Sequence, residues 1–270
     1  MLIDSHCHLN FPEFSDMPAI RQSMSDNQVT HALCVSVTLE KFPEVLAIAM
    51  AYDNFYASVG VHPDYEKKSE EGESLEEPTL ERLVQLAANP KIIAIGETGL
   101  DYFRLTGNLE WQRERFRTHI RAAIKTGKPL IIHTRNASID TIRIMREENA
   151  QLVGGVMHCF TESLEIAEQA IELGFYISFS GIVTFKNALD IKEVAKKIPL
   201  NKMLVETDSP YLAPIPFRGK TNQPAYVRHV AEEIAKLRDI SVDEVGRATT
   251  ENFFMLFKHA ATLNQAALCN

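Results

Sequence analysis

No apolar stretch in this 270-residue chain is long enough to cross a bilayer, so no membrane span is expected. The N-terminus carries no basic segment, and Asp4, His6 and His8 interrupt its apolar start. No secretory signal is read there, and the cytoplasm is the expected compartment. Cysteine is scarce. Cys7, Cys34, Cys159 and Cys269 form neither a CxxC pair nor a disulfide-like spacing. Cys7 sits between two histidines and Cys159 follows a third; on strands both should point away from the histidine face, as packed, reduced thiols. Glycine-rich phosphate loops of the GxGxxG or GxxxxGK(S/T) type are absent. Positive charge is in deficit, with 28 lysines and arginines against 36 aspartates and glutamates and a net charge of -8. That disfavours a broad electrostatic grip on long nucleic acid, but not capture of a phosphate at a cation, which reverses the local field. No internal repeat, low-complexity tract or interdomain linker interrupts the chain, so residues 1–270 are expected to form one domain.

What is present is alternation. Short β-branched runs at 2–6, 32–37, 55–61, 92–97, 130–133, 153–158, 175–178 and 203–206 alternate with amphipathic stretches at 42–51, 80–88, 111–125, 139–148, 164–173 and 189–198. Two further helical patterns, 225–237 and 242–256, follow the last run. Strands alternating with helices argue for βαβ units and a parallel α/β sheet. Eight such repeats fit a TIM-type (β/α)8 barrel with extra C-terminal helices. A doubly wound open sheet is the competing fold, but it gathers its site at one switch point. Two connections stand out. Segment 65–78 is strongly acidic and reads as a solvated loop. Segment 209–224, with Pro210, Pro214, Pro216 and Pro224, reads as a stiff wall beside the site.

Residues 3–8 read Ile-Asp-Ser-His-Cys-His. Residues two apart share a face of a strand, so His6 and His8 can reach one cation from a single strand end; a helix would separate them by roughly 200°. Four more donors close other runs: Glu97 the fourth, His133 the fifth, His158 the sixth and Asp208 the eighth. The C-terminal strand ends form the functional face of such a barrel. Singly, each donor could be a core histidine, a helix cap or a loop carboxylate. Together, a purely structural role would bury six polar groups that each need a partner. Six donors exceed one tetrahedral zinc and fit two divalent ions sharing a carboxylate. Glu97, between the two groups in strand order, is the expected bridge. His6, His8 and Asp208 would hold one ion, and His133 and His158 the other.

These residues resemble the TatD family of metal-dependent hydrolases, within the wider amidohydrolase-like barrels, and in particular its bacterial YcfH-like branch. The family's opening motif, an apolar pair followed by D-(S/T)-H-x-H-L-(N/D), is matched by residues 2–10. Its IGE-x-GLDY, H-x-R and HCF motifs are matched by 95–102, 133–135 and 158–160, and its closing ETD-x-PYLAP…RGK-x-N-x-P-x-YV pattern by 206–227. The resemblance implies a TIM-type barrel, a divalent metal pair and phosphodiester hydrolysis, usually of DNA as a 3′–5′ exonuclease. It places the metal site on His6, His8, Glu97, His133, His158 and Asp208, and a substrate-side histidine at His62. Glu162 stands where the family often has glycine, and Gln223 where glutamate is common.

On this reading a water activated at the metal pair attacks phosphorus in line, with Asp208 as proton acceptor. Glu97 and Glu206 complete the catalytic carboxylates, Glu206 by orienting a ligand or the water. His62, Arg135 and Arg218 are the expected phosphate-side donors, while Asp101 and Tyr102 are read as loop-ordering. The imidazole-rich donor set suits Zn, Mn, Ni or Co, whereas the family is usually described as using Mg. DNA ends or short oligonucleotides are the expected substrates of a monomer with no membrane and no obligate protein partner. One alternative is an ester or amide hydrolase, such as a D-aminoacyl-tRNA deacylase. Related barrels bridge their metals with a carboxylated lysine, and Glu97 in that place favours the first reading. The other alternative is a non-catalytic binding protein.

Overall fold

The computed structural model describes residues 1–65, 75–103, 105 and 107–268, the side chains of 266–268 excepted. Eight strands pair in parallel in chain order: β1 Leu2–Cys7, β2 Val29–Cys34, β3 Phe55–Val59, β4 Ile92–Asp101, β5 Leu130–Arg135, β6 Gly155–Met157, β7 Tyr176–Phe179 and β8 Met203–Val205. A parallel bridge between Cys7 and Ser209 joins the last strand region to the first. Asp208 N donates to His6 O and His8 N to Ser209 O, both at 2.9 Å. The sheet thus curls into the expected TIM-type barrel. Helices α1 Met17–Asp26, α2 Phe42–Ala51, α3 Leu80–Leu86, α4 Glu110–Thr126, α5 Ser138–Glu147, α6 Leu164–Glu172 and α7 Leu189–Lys197 fill the connections. After β8 come α8 Val227–Arg238, α9 Val242–Leu256 and α10 Lys258–Leu268. No helix among the described residues is long and apolar enough to cross a membrane.

Two apolar layers explain why only one end of the barrel is available to a substrate. Each strand sends one large residue inward: Ile3, Leu33, Tyr56, Ile93, Ile131, Val156, Tyr176 and Leu204 pack together. Phe253, Phe257 and Ala260, at the α9–α10 corner, join that cluster and plug it from below. Other strand residues, such as Phe55, Ile132 and Met203, pack outward with the apolar faces of the helices. The interior is filled core, as in barrels of this type, and the C-terminal strand ends carry the open face.

The structure departs from strict alternation at an informative place. Ile93, Ile95 and Glu97 would share one face of a regular strand, yet Ile95 packs in the outer cluster while Ile93 is in the inner one. The cause is a register shift of β4 against both β3 and β5. Gly96 and Gly99 permit it, with φ of +143° and +136°; a Cβ on them would lie 2.6 Å from Ile131 O and 2.0 Å from His133 O. Any side chain there would push β4 off β5. Two helices escaped the sequence pattern. α1 buries only Ile20 and Met24 and is defined by its ends, with Asp16 accepting from Ala19 N at 3.0 Å and proline in its first turn. α10 follows Phe257 directly. Of the acidic segment 65–78, residues 66–74 lie outside the described residues, as does Cys269. Glu76 and Glu77 pair with Arg82 and Arg115.

Candidate active site

The strand ends converge on a cavity of about 630 Å3 lined by His8, His62, Glu97, His133, His158 and Asp208 among others, with His6 fully buried beneath. Glu97 divides the donors into two sets. Its Oε2 lies 3.2 Å from His6 Nε2 and 3.9 Å from His8 Nε2. Those nitrogens are 3.3 Å apart, and Asp208 Oδ1 is 3.7 Å from the first and 3.3 Å from the second. The other oxygen, Oε1, lies 2.8 Å from His158 Nε2, 3.2 Å from His133 Nδ1 and 3.3 Å from His62 Nε2. The other five donors expected from strand ends therefore gather on the two sides of one carboxylate, Asp208 through its contacts with His6 and His8.

Most of the histidines are held from behind. Asp4 accepts from Thr207 N at 2.8 Å and Thr207 Oγ1 at 2.6 Å, pinning the β1–β8 seam that carries His6 and Asp208. His8 Nδ1 meets Val35 O at 3.1 Å. Asp101 Oδ2 meets His133 Nε2 at 3.1 Å, leaving Nδ1 for Glu97. Glu206 Oε1 accepts from Cys159 N at 2.8 Å and meets His158 Nδ1 at 3.1 Å. Asp64 pairs with His62 Nδ1. Such partners fix which nitrogen of His8, His62, His133 and His158 faces the cavity, whereas His6 Nδ1 is buried without a partner.

Residues 3–258 match the family model described as TatD related DNase. The chain belongs to the TatD family. It is 44% identical over 261 residues to a Buchnera aphidicola protein named as a metal-dependent hydrolase, covering 95% of this chain and 98% of that one. It is also 44% identical over 260 residues to the metal-dependent hydrolase YcfH of Escherichia coli, covering 95% of each. The crystal structure of the TatD homologue YjjV from Escherichia coli aligns with a TM-score of 0.85 at 32% identity, over 95% of this chain and 98% of that chain.

The TatD site fits divalent metal on its own geometry. Bonds of 2.0–2.1 Å to a tetrahedral ion imply donor-to-donor edges of about 3.3 Å. The separations of His6 and His8 Nε2 from each other, from Asp208 Oδ1 and from Glu97 Oε2 run from 3.2 to 3.9 Å. His158 Nε2 is buried with no hydrogen-bond partner although it points at Glu97, a gap that a cation would fill. His6, His8 and Glu97 form one group of donor atoms close enough to share an ion; His62, Glu97 and His133 form another. Charge agrees. Burial would push the Glu97 carboxyl up, but the imidazoles of His158, His62 and His6 hold it well below the usual carboxylate range. Burial would lower His158, yet Glu97 and Glu206 raise it well above the ordinary imidazole value. His6 is lowered by burial and by His158, whose ring stacks on it at 3.9 Å. For His62, burial is outweighed by Glu97 and Asp64, and its value rises to about 10. At the TatD cavity Glu97, Asp64 and Glu206 thus draw positive charge to His62 and His158.

Other expected residues divide. Arg135 lines the cavity, its guanidinium 3.7 Å from the exposed Phe103 ring. Arg218 is not brought in: it stands exposed outside the cavity wall, 4.1 Å from the Phe185 ring. Glu206 is fully buried behind His158 and does not line the cavity. Asp101, read as loop-ordering, does accept from Phe103 N at 2.8 Å but also holds His133. Cys159 corrects an expectation. It lines the cavity rather than pointing away, because it lies beyond the end of β6 with φ +43°, where strand alternation no longer applies. Asp4 and Asp64 carry supporting roles that sequence reasoning missed, although each stands two residues from a chosen histidine.

Proposed function

We propose that this TatD-family metal-dependent hydrolase is a cytoplasmic, monomeric phosphodiesterase that removes nucleotides from DNA ends, in the manner of a 3′–5′ exonuclease. The observation that carries the reading is Glu97, whose two oxygens face two separate nitrogen-rich sets at the floor of one cavity. Glu97 Oε2, His6, His8 and Asp208 would hold one divalent ion; Glu97 Oε1, His133 and His158 would hold the other. Mg, Mn or Zn are the leading ions, with Ni or Co also suited to this donor set. When bound, the pair supplies Lewis acidity for the phosphoryl oxygens and lowers the pKa of water.

The chain's own residues supply the rest. Asp208 lines the cavity and is anionic, since burial is outweighed by His8 and His6, which lower it; its carboxylate takes the proton of the attacking water. His62, held by Asp64, and Arg135, braced on Phe103, present N–H donors to phosphate oxygens. Asp101 and Glu206 keep His133 and His158 in orientation. Phe11, Tyr65 and Tyr211 line the cavity and offer faces on which the bases of an unpaired end can stack.

The test is a substrate panel run on protein stripped by chelation and refilled with single ions. Single-stranded DNA and a simple phosphodiester should be cleaved only after refilling. Cleavage confined to aminoacyl esters would replace this reading with the ester-hydrolase one, and metal-independent binding without turnover would reduce the protein to a binding module.

A further inference from the structure

We propose that the surface formed by the loops after β7 and β8, bearing Lys186, Arg218 and Lys220, is a track for the phosphodiester backbone of the strand extending beyond the active-site cavity. The inference rests on the nuclease reading above and adds where the rest of the substrate lies. It starts from where the unpaired cations stand. On α4 and α5, Arg113, Arg115, Arg117, Arg121 and Arg143 are ion-paired with carboxylates, and the exposed Lys125 and Arg146 of those helices, which have no ion pair among the described residues, lie away from the cavity lining. Lys186, Arg218 and Lys220 are exposed and have no ion pair among the described residues. Acidic groups on α8 that could neutralise them are engaged elsewhere: Glu232 with Arg228 and His229, and Glu233 with Lys192.

Aromatic rings support two of these cations without cancelling their charge. Arg218 lies 4.1 Å from the Phe185 ring, and Lys220 Nζ lies 5.8 Å from the Phe217 ring. Phe217 is in turn stacked on Tyr226 at 4.0 Å. The two loops form one continuous wall. Thr184 Oγ1 accepts from Ile215 N at 3.0 Å, and Gly181 is so close to Leu212 O that a Cβ would lie 2.0 Å from it. The same segments present Ile182, Tyr211 and Leu212 to the cavity. One face of the wall thus borders the reacting phosphate, while its outer part carries three uncancelled positive charges in a chain of net charge -8. That arrangement suits a flexible polyanion with one end in the cavity, and it places Arg218 beyond the reacting phosphate, on the strand.

Binding of labelled single-stranded oligonucleotides of increasing length to the full-length protein, across salt concentrations, tests this. Wild-type affinity should rise with length. In the double variant Lys186→Gln/Lys220→Gln the length gain should shrink, and the slope of log affinity against log salt should flatten by about 1.4, at about 0.7 per lost phosphate contact. Between 50 and 200 mM salt the wild type then loses about sevenfold more affinity than the variant, the fourfold salt change raised to that slope difference. Lys236→Gln/Lys258→Gln removes the same charge at the opposite end of the barrel and should leave the slope unchanged. An unaltered slope in the first variant, or an equal flattening in the control, overturns the track. Cleavage of a small phosphodiester alongside that result would leave the nuclease chemistry standing, whereas no cleavage of any diester would remove the proposed function and the track with it.

Discussion

Glu206 offers the sharpest mutational test, because its two hydrogen bonds separate charge from shape. Its Oε1 accepts from Cys159 N at 2.8 Å and meets His158 Nδ1 at 3.1 Å, while Oε2 is buried without a partner. Glutamine at this position can keep its oxygen at the Oε1 place, removes the negative charge that makes His158 more basic, and puts an NH2 where the unpartnered Oε2 stands. Loss of a supporting carboxylate behind a metal-binding histidine typically weakens metal binding 10- to 100-fold, or about 1.4–2.8 kcal/mol at 1.4 kcal/mol per tenfold. Glu206→Ala goes further. It leaves the Cys159 N–H and the His158 Nδ1–H buried without an acceptor, at about 1–3 kcal/mol each, for a total of about 2–6 kcal/mol of folding stability. Competition against a chromogenic chelator reads the affinity, and urea unfolding of the metal-free protein reads the stability. The expected pattern is a Gln variant that folds normally and holds the His158-side ion 10- to 100-fold more weakly. An unchanged affinity, or loss of both ions together, would refute the assignment of Glu206 as a positioning residue for that side alone.

Three further outcomes are expected. Asp208→Asn should nearly abolish turnover with an unchanged melting temperature, and a variant with ordinary activity removes Asp208 as proton acceptor. Arg115 anchors the segment carrying His62 through a two-pronged contact with Glu77 and bonds to His62 O and Tyr65 O at 3.2 and 2.6 Å. Arg115→Ala should cost about 2–4 kcal/mol in urea unfolding, Glu77 being partly exposed. Buried His119 accepts from Val61 N at 3.1 Å and meets Arg115 O at 2.8 Å; burial lowers its pKa to about 4 from 6.5. Between those values the unfolded chain binds a proton that the native one does not, so stability falls as pH falls. This group should remove about 2 kcal/mol between pH 7 and pH 5. His119→Gln should show a shallower pH dependence by that amount, and identical slopes would refute it.

The donors that converge were legible in the sequence because each closes a separate β-branched run, and a barrel brings such ends together whatever the details of pairing. His6 and His8, two apart, needed only a strand. Glu97 reaches the same place through a register shift that alternation does not encode; the glycines at 96 and 99 marked the irregularity without revealing its direction. Cys159 and Arg218 were misplaced for a related reason, since both lie beyond the ladder, where turn conformation and aromatic neighbours set direction. Asp101 and Asp64 were hidden because a carboxylate three or four residues past the end of an expected strand run, here 97 and 61, reads equally as a turn residue. α1 has too few buried positions to show a helical period, and its signal lies in Asp16 and Pro18 at its start.

The central claim is that Glu97 serves two cations at once, and anomalous diffraction from crystals soaked in manganese tests it most directly. Two peaks should flank Glu97, one among His6, His8 and Asp208 and one between His133 and His158. A single peak, or two that do not share Glu97, would contradict the account.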